Sequence, residues 1–260
     1  MQKIKGIILF DIDGVIRDVT QSYRLSIQKT VNFFSGWVPT IDDIDDLKSE
    51  GIWNNDWDLS IELLKRNTYL SCNLEKIPTR DDLREKFDSY YFGENNKNKS
   101  WNGFINNEKL LVNKKFFIDL TSHGIKWGFV SGTEHDSAKF LLENRLSIKN
   151  APLVAMGDAP EKPDPKGFLK LTCDLAKSEI DQISYPIAYV GDTVADVLTI
   201  KRAREIYPDQ TFISFAVAPP HLHLENKYDL RKKYENKLKS SGADFILENT
   251  QEIINYVKEW

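Results

Sequence analysis

The sequence predicts an α/β protein, a parallel sheet with crossover helices whose first strand is separated from the rest by an inserted all-helical domain. Three observations predict it. Ile7-Ile8-Leu9-Phe10 is an apolar run that reads as a buried strand. About ninety residues of helical spacing follow. From Leu110 onwards strand and helix patterns alternate to the C-terminus, as parallel strands joined by helices require.

In the insert, Tyr23, Ile27, Val31 and Phe34 share one helical face, and Gly36 and Pro39 end that helix. A short acidic segment over Ile41 to Lys48 comes next. Trp57, Ile61 and Leu64 then stand at i, i+4, i+7, with Asn55 or Asp56 as a suitable N-cap. A fourth helix opens at Pro78-Thr79 and stacks Leu83, Phe87, Tyr90 and Tyr91. Gly93 to Asn107, rich in Asn, Lys and Gly, reads as a surface connection.

The alternating part begins with a helix over Lys114 to Ser122 and a strand over Ile125 to Val130. A helix burying Ala138, Leu141, Leu142 and Leu146 leads to a strand over Ala151 to Met156. Pro165, capped by Asp164, opens a helix carrying Phe168, Leu171 and Leu175. Strands over Ile187 to Val190, Phe212 to Val217 and Ala243 to Leu247 complete the sheet, and a helix with Ile253, Ile254 and Val257 closes the chain. These patterns place the sheet-bearing core at 1–17 plus 111–260 and the helical domain at 18–110, with hinges near 16–20 and 108–114. A polar helix between Pro220 and Ser241 has no purpose legible in the sequence.

Composition limits the function. Hydrophobic residues make up 41% and charged residues 28%, as in globular domains, and no apolar run approaches the roughly 18 to 20 residues that span a bilayer. No secretory signal is seen at the N-terminus, so a cytoplasmic location is expected, without membrane association. A formal net charge of -4 lacks the bulk attraction on which nucleic-acid binders rely. Arg231-Lys232-Lys233, followed by Glu235, reads as a solvated helix face. Cys72 and Cys173 have neither metal-ligand spacing nor a disulfide framework and are expected to pack.

Candidate chemistry lies after the strands, because open parallel sheets bind ligands at their carboxyl ends. The first strand runs into Asp11 and Asp13, one residue apart, and Gly14 supplies the tight turn. Two carboxylates there repel unless a cation sits near them, and a hard divalent metal is the usual answer, although acidic residues are also ordinary in turns. Later strands end in Ser131 and Gly132, in Lys162, and in Asp192 with Asp196 one helical turn on. Acid pair, hydroxyl, lysine and second acid pair at four strand ends form a set. His221 and His223 are weaker candidates for metal ligands, and His123 and His135 fall at helix ends.

These motifs resemble the haloacid dehalogenase superfamily, in particular its subfamily I/IA, whose helical cap is inserted between the first and second motifs. The matching residues are Asp11-Ile12-Asp13-Gly14-Val15, Phe129-Val130-Ser131-Gly132, Lys162-Pro163-Asp164-Pro165 and Val190-Gly191-Asp192-Thr193-Val194-Ala195-Asp196. The resemblance implies a Rossmann-like core and a phosphatase, a phosphoric monoester hydrolase acting on a small phosphorylated metabolite. It implies Asp11 as the nucleophile that forms an aspartyl-phosphate and Asp13 as general acid and base. It also implies Mg2+ held by Asp11, the Asp13 backbone carbonyl and Asp192, with Asp196 orienting metal-bound water. Ser131, Gly132 and Lys162 would bind the phosphoryl group. Glu161 stands where many relatives carry glycine, and Thr133 reads as an extra phosphate ligand or the N-cap of the next helix. Trp53, Asn54, Asn55 and Asp56 occupy the place of the cap loop that meets substrate in related enzymes, or else form a helix cap between aromatics. A phosphomutase with the same core is the alternative, and a non-catalytic receiver-like module is disfavoured by the first-strand position of Asp11 and by Asp13.

Overall fold

The computed structural model describes residues 3–50, 53, 55–67, 77–93 and 101–260. The chain divides into two compact units, 1–18 with 110–260 and 19–109. It begins with β1 (Gly6–Phe10) and leaves the first unit through β2 (Arg17–Asp18).

The second unit is helical, with α1 (Thr20–Ser35), α2 (Ile41–Ser49), α3 (Asp56–Arg66) and α4 (Arg80–Tyr91) among the described residues. Local chemistry sets the helix ends. Thr40 and Asp43 form a capping box on α2, Thr79 accepts from the Asp82 N–H on α4, and Gly36 ends α1 at φ 72°. Tyr23 stacks on Tyr91 at 4.7 Å between ring centroids, which joins α1 to α4. The buried Glu108 accepts hydrogen bonds from Ser22 Oγ at 2.6 Å and Tyr91 OH at 3.0 Å. The expected surface connection before Asn107 is corrected over 101–107: Phe104–Asn107 is a 3-10 helix, and Trp101 and Ile105 are buried. Aromatic contact explains this, since Trp101 lies 4.6 Å from the Phe92 ring. Residues 94–100, and Cys72, lie outside the described residues.

The chain returns through β3 (Lys109–Leu110) and continues with α5 (Lys114–Ser122), β4 (Ile125–Val130) and α6 (His135–Lys139), which runs on as a π-helical turn over Phe140–Arg145. Then come β5 (Leu153–Val154), α7 (Lys166–Ala176), β6 (Ile187–Gly191), α8 (Val194–Ile206) and β7 (Phe212–Val217). The last elements are α9 (Tyr228–Ser241), β8 (Phe245–Leu247) and α10 (Ile253–Val257). β5 is shorter than the sequence pattern suggests, and α7 starts one residue after Pro165, where Asp164 still accepts the Lys166 N–H at 2.8 Å.

Six strands form a sheet in the order β5-β4-β1-β6-β7-β8, and every pairing is parallel. β1 is central, with Leu9 opposite Gly128 on one side and Tyr189 on the other. Its residues alternate between two cores, as strand geometry demands. Ile8 and Phe10 pack with Phe116, Phe117 and Phe129, while Ile7 and Leu9 pack with Phe168, Tyr189 and Ile200. Burying each large apolar side chain contributes about 1.5–3 kcal/mol, so β1 is anchored on both faces just before Asp11. Among the described residues no helix is long and apolar enough to cross a membrane.

Candidate active site

The parallel register brings the ends of β1, β4 and β6 side by side, and with them the predicted residues of the first unit. The Asp11 N–H continues the sheet by donating to the Val190 carbonyl at 2.9 Å. Beyond it the chain turns sharply. Gly14 has φ 77°, and a Cβ built there would lie 2.0 Å from Asp192 Oδ2, so only glycine lets the first acidic loop lie against the last. Gly191 meets a similar demand, because its Cβ would fall 2.2 Å from the Asp196 Cβ.

Lys162 stands between the acids. Its Nζ lies 3.1 Å from Asp11 Oδ1 and donates to Asp196 Oδ1 at 2.6 Å and to the Tyr189 hydroxyl at 3.2 Å. Tyr189 OH in turn donates to the Val130 carbonyl at 2.6 Å. Burial opposes the charge on Lys162, but the Asp11 and Asp196 carboxylates hold its ammonium well above the usual lysine range. Burial pushes the Asp11 carboxyl up to about 6, against the pull of Lys162, with Asp196 and Asp13 adding to the rise. Asp192 is pushed well above the carboxylate range by burial first, then by Asp196 and Asp11.

Asp11, Asp192 and Asp196 each offer a carboxylate oxygen within 4.8 Å of the others. Asp11 Oδ1 is buried and makes no hydrogen bond among the described residues, its lysine contact being ionic rather than aligned. Buried oxygens held this close, with the Asp11 and Asp192 carboxyl groups shifted towards the neutral form, fit a hard divalent cation. Asp196 is more committed than its neighbours. Its Oδ2 accepts from the Thr193 N–H and hydroxyl in a capping box on α8, and its Oδ1 takes Lys162.

Asp13 lies beside this cluster with its side chain 26% exposed, and Arg17 Nε donates to its Oδ1 at 2.7 Å. Thr133 Oγ1 donates to its Oδ2 at 2.9 Å and lies 3.0 Å from Ser131 Oγ. The expectation that Thr133 caps the next helix is therefore corrected. Glu134 occupies the N-cap position of α6 and makes no side-chain cap bond. Gly132 sits at the open end of β4, with nothing within 4 Å of where a Cβ would stand.

The other predicted residues take local roles. Asn55 caps α3 by accepting from the Trp57 and Asp58 N–H groups, Asp56 pairs with Lys48 at 2.7 Å, and Trp53 Nε1 donates to Glu50 at 2.9 Å. Asn54 lies outside the described residues. His221 falls in a 3-10 turn rather than on a strand, and His223 Nε2 bonds the Ala218 carbonyl at 2.9 Å. His123 ends α5, and His135 pairs with Asp158 at 2.8 Å. Arg231 and Lys232 pair with Glu235 on their own helix.

Three residues of the site were not foreseen: Arg17, Tyr189 and Tyr234. Tyr234 comes from α9, the polar helix whose purpose the sequence left blank, and its hydroxyl donates to the Asp192 carbonyl at 3.0 Å. Tyr234→Phe leaves that carbonyl short of a donor in a largely buried place. A loss of about 1–2 kcal/mol in denaturant unfolding is expected, and an unchanged midpoint would remove Tyr234 from the support of this loop.

The profile of haloacid dehalogenase-like hydrolases matches residues 6–204. The chain belongs to that family. A relative from Phytophthora nicotianae described as an imidazoleglycerol-phosphate dehydratase is 31% identical over 198 residues, which covers 75% of this chain and 41% of the relative. The chain thus spans less than half the length of that protein. Two solved structures share the haloacid dehalogenase fold. One is a Thermotoga maritima protein provisionally assigned as a β-phosphoglucomutase, with TM-score 0.65, 18% identity and 98% and 99% of the two chains covered. The other is a phosphatase from Thermococcus thioreducens, with TM-score 0.61, 21% identity and 90% and 99% covered.

Proposed function

We propose that this haloacid dehalogenase-like hydrolase is a Mg2+-dependent phosphatase that cleaves a small phosphorylated metabolite through an aspartyl-phosphate on Asp11. The observation that carries the reading is the pairing of two unlike carboxylates separated by one residue. Asp11 is buried against Lys162, whereas Asp13 is partly exposed and held by Arg17 and Thr133. On this reading Asp11 attacks phosphorus and Asp13 moves a proton.

Asp11, Asp192 and the Asp13 backbone carbonyl are the groups that would hold Mg2+, with Asp196 behind them. When bound, the cation supplies positive charge that lets a phosphate dianion approach a carboxylate. The remaining steps belong to the protein. Lys162 neutralises the nucleophile and the transferring group, and Ser131 with the Gly132 N–H hold phosphoryl oxygens. Asp11 forms a bond to phosphorus as the P–O bond to the leaving group breaks, and Asp13 gives that oxygen its proton. Asp13 then takes a proton from the water that attacks phosphorus and frees Asp11.

Selection among esters is assigned to the Trp53–Asp56 stretch of the helical unit, where Asn55 caps a helix, Asp56 pairs with Lys48 and the Arg66 guanidinium lies over the Trp53 ring. The Phytophthora relative is named for an imidazole-bearing glycerol phosphate, so phosphorylated imidazole alcohols such as histidinol phosphate lead the substrate panel. Sugar phosphates, phosphoglycolate and polyol phosphates complete it. A mutase reading is kept because one fold neighbour carries that assignment.

The test is phosphate release from the panel with Mg2+ and with chelator. One ester turned over with kcat/KM of roughly 10⁴ M⁻¹s⁻¹ or more, and only with metal, is the expected result. Isomerisation of a sugar monophosphate on addition of a sugar bisphosphate, without phosphate release, would replace the phosphatase reading by the mutase one.

A further inference from the structure

Arg17 is fully buried, and its environment says what it is for. Burying a guanidinium is costly unless an opposite charge stands beside it. Here Nε donates to Asp13 Oδ1 at 2.7 Å and Nη2 donates to the buried Ser137 hydroxyl on α6 at 2.9 Å. The backbone closes the same ring: the Gly14 N–H donates to the Arg17 carbonyl at 2.9 Å, and the Ile16 N–H to the Ile12 carbonyl at 2.8 Å. Thr250 Oγ1 adds a bond to the Val15 carbonyl at 2.7 Å. Residues 12–17 are thus a compact turn with Arg17 as its internal strut, and the strut ends on the carboxylate assigned to proton transfer.

The two oxygens of that carboxylate face different chemistry. Oδ1 meets a guanidinium, which can only donate. Oδ2 meets the Thr133 hydroxyl at 2.9 Å, and a hydroxyl can donate or accept. A carboxylate with both oxygens accepting is ready to take a proton. Once Oδ2 carries that proton, the Thr133 hydroxyl can turn towards Ser131 Oγ, 3.0 Å away, and the contact survives. No such adjustment is open at Oδ1, where a proton would face the N–H of Arg17.

We infer that Arg17 is a positioning residue for proton transfer: it fixes Asp13 Oδ1, sets the plane of the carboxyl group and leaves Oδ2 as the atom that exchanges the proton. The inference rests on the reading of Asp13 as general acid and base. In the first half of the reaction the Oδ2–H bond breaks and its proton passes to the leaving oxygen as that oxygen's bond to phosphorus breaks. In the second half Oδ2 takes a proton from the attacking water, so the cycle returns Asp13 to its starting state.

The test uses three generic esters whose need for acid assistance rises from 4-nitrophenyl phosphate through phenyl phosphate to benzyl phosphate. Single-turnover phosphorylation is measured in the full-length protein with Mg2+ for Asp13→Asn, Arg17→Gln and the double variant. For Arg17→Gln a loss of ~100-fold with benzyl phosphate is expected, against only a few-fold with 4-nitrophenyl phosphate and little change in KM. The double variant should be no slower than Asp13→Asn alone, because both changes remove one function. Should Arg17→Gln fail to fold, Ser137→Ala frees the far end of the strut while keeping the pair with Asp13, and a smaller loss with the same leaving-group bias is expected. An equal loss on all three esters in whichever variant folds, or losses that multiply in the double variant, would overturn the inference. A loss independent of leaving group in Asp13→Asn would overturn the acid assignment itself, and this inference with it.

Discussion

Asp11→Asn is expected to stop turnover, by roughly 10⁴-fold or more, and at the same time to stabilise the metal-free protein at neutral pH. The first effect follows because the substitution removes the proposed nucleophile while keeping its shape. The second follows from linkage. Burial lifts the folded Asp11 carboxyl to about 6 from an ordinary value of 3.8. Between those values the folded state binds more protons than the unfolded one, so stability falls as pH rises. The contribution is fully present below the ordinary value and lost as pH climbs through about 6. A shift of about two units corresponds to about 3 kcal/mol. The amide cannot ionise and escapes this loss. In chelator, the stability of Asp11→Asn relative to wild type should therefore grow by about 2–3 kcal/mol between about pH 4 and pH 7.5. Excess Mg2+ should narrow the gap by stabilising wild type more than the variant. Parallel stability curves across that range would show that Asp11 is not held in a costly ionised state.

Lys162→Met is expected to have the second largest effect, and here activity and stability should fall together. The substitution keeps a straight, packable chain but removes the ammonium that lies against both Asp11 and Asp196. Leaving buried acids without their cation typically costs about 3–5 kcal/mol at neutral pH. Turnover should drop by ~10³-fold or more, since the transferring group also loses its neutralising charge. The stability deficit should shrink towards acidic pH, where the orphaned carboxyl groups protonate. Urea unfolding at two pH values, beside kcat on the best ester of the panel, measures both effects. A variant as stable as wild type at neutral pH would contradict the charge balance described for this site.

The residues that sequence could reveal are those tied to strand ends. Ile7 to Phe10 announce a strand by apolar continuity, and parallel topology then dictates that Asp11, Ser131 and Asp192 converge. Lys162 is legible for the same reason, although β5 before it is only two residues long. What stayed hidden depends on long-range packing. Tyr234 reaches the Asp192 carbonyl because α9 packs on α8 and β7, and a tyrosine in a charged helix carries no mark of that contact. Tyr189 was signalled only by parity: it shares a face with Ile187 in β6, so its hydroxyl had to find a partner within the core beside Phe168. Arg17 was signalled by isolation, a lone cation after Val15-Ile16 and four residues beyond Asp13. Thr133 was misplaced because a hydroxyl before a helix looks like a cap, whereas Asp13 offers its side chain a charged acceptor. In the helical unit, Asn55 follows the ordinary capping rule, which accounts for its side chain without any substrate.

The proposed reaction turns on a covalent phosphoryl-enzyme at Asp11, and trapping it is the most direct measurement. Wild-type protein turning over the best ester of the panel with Mg2+ would be quenched in acid, reduced with borohydride and mapped by peptide mass spectrometry. Reduction of the acyl phosphate to an alcohol at position 11, absent without substrate and absent from Asp11→Asn, is the predicted result. A phosphoryl group found instead on Ser131 or a histidine, or inversion of configuration at phosphorus in a chiral ester, would contradict it.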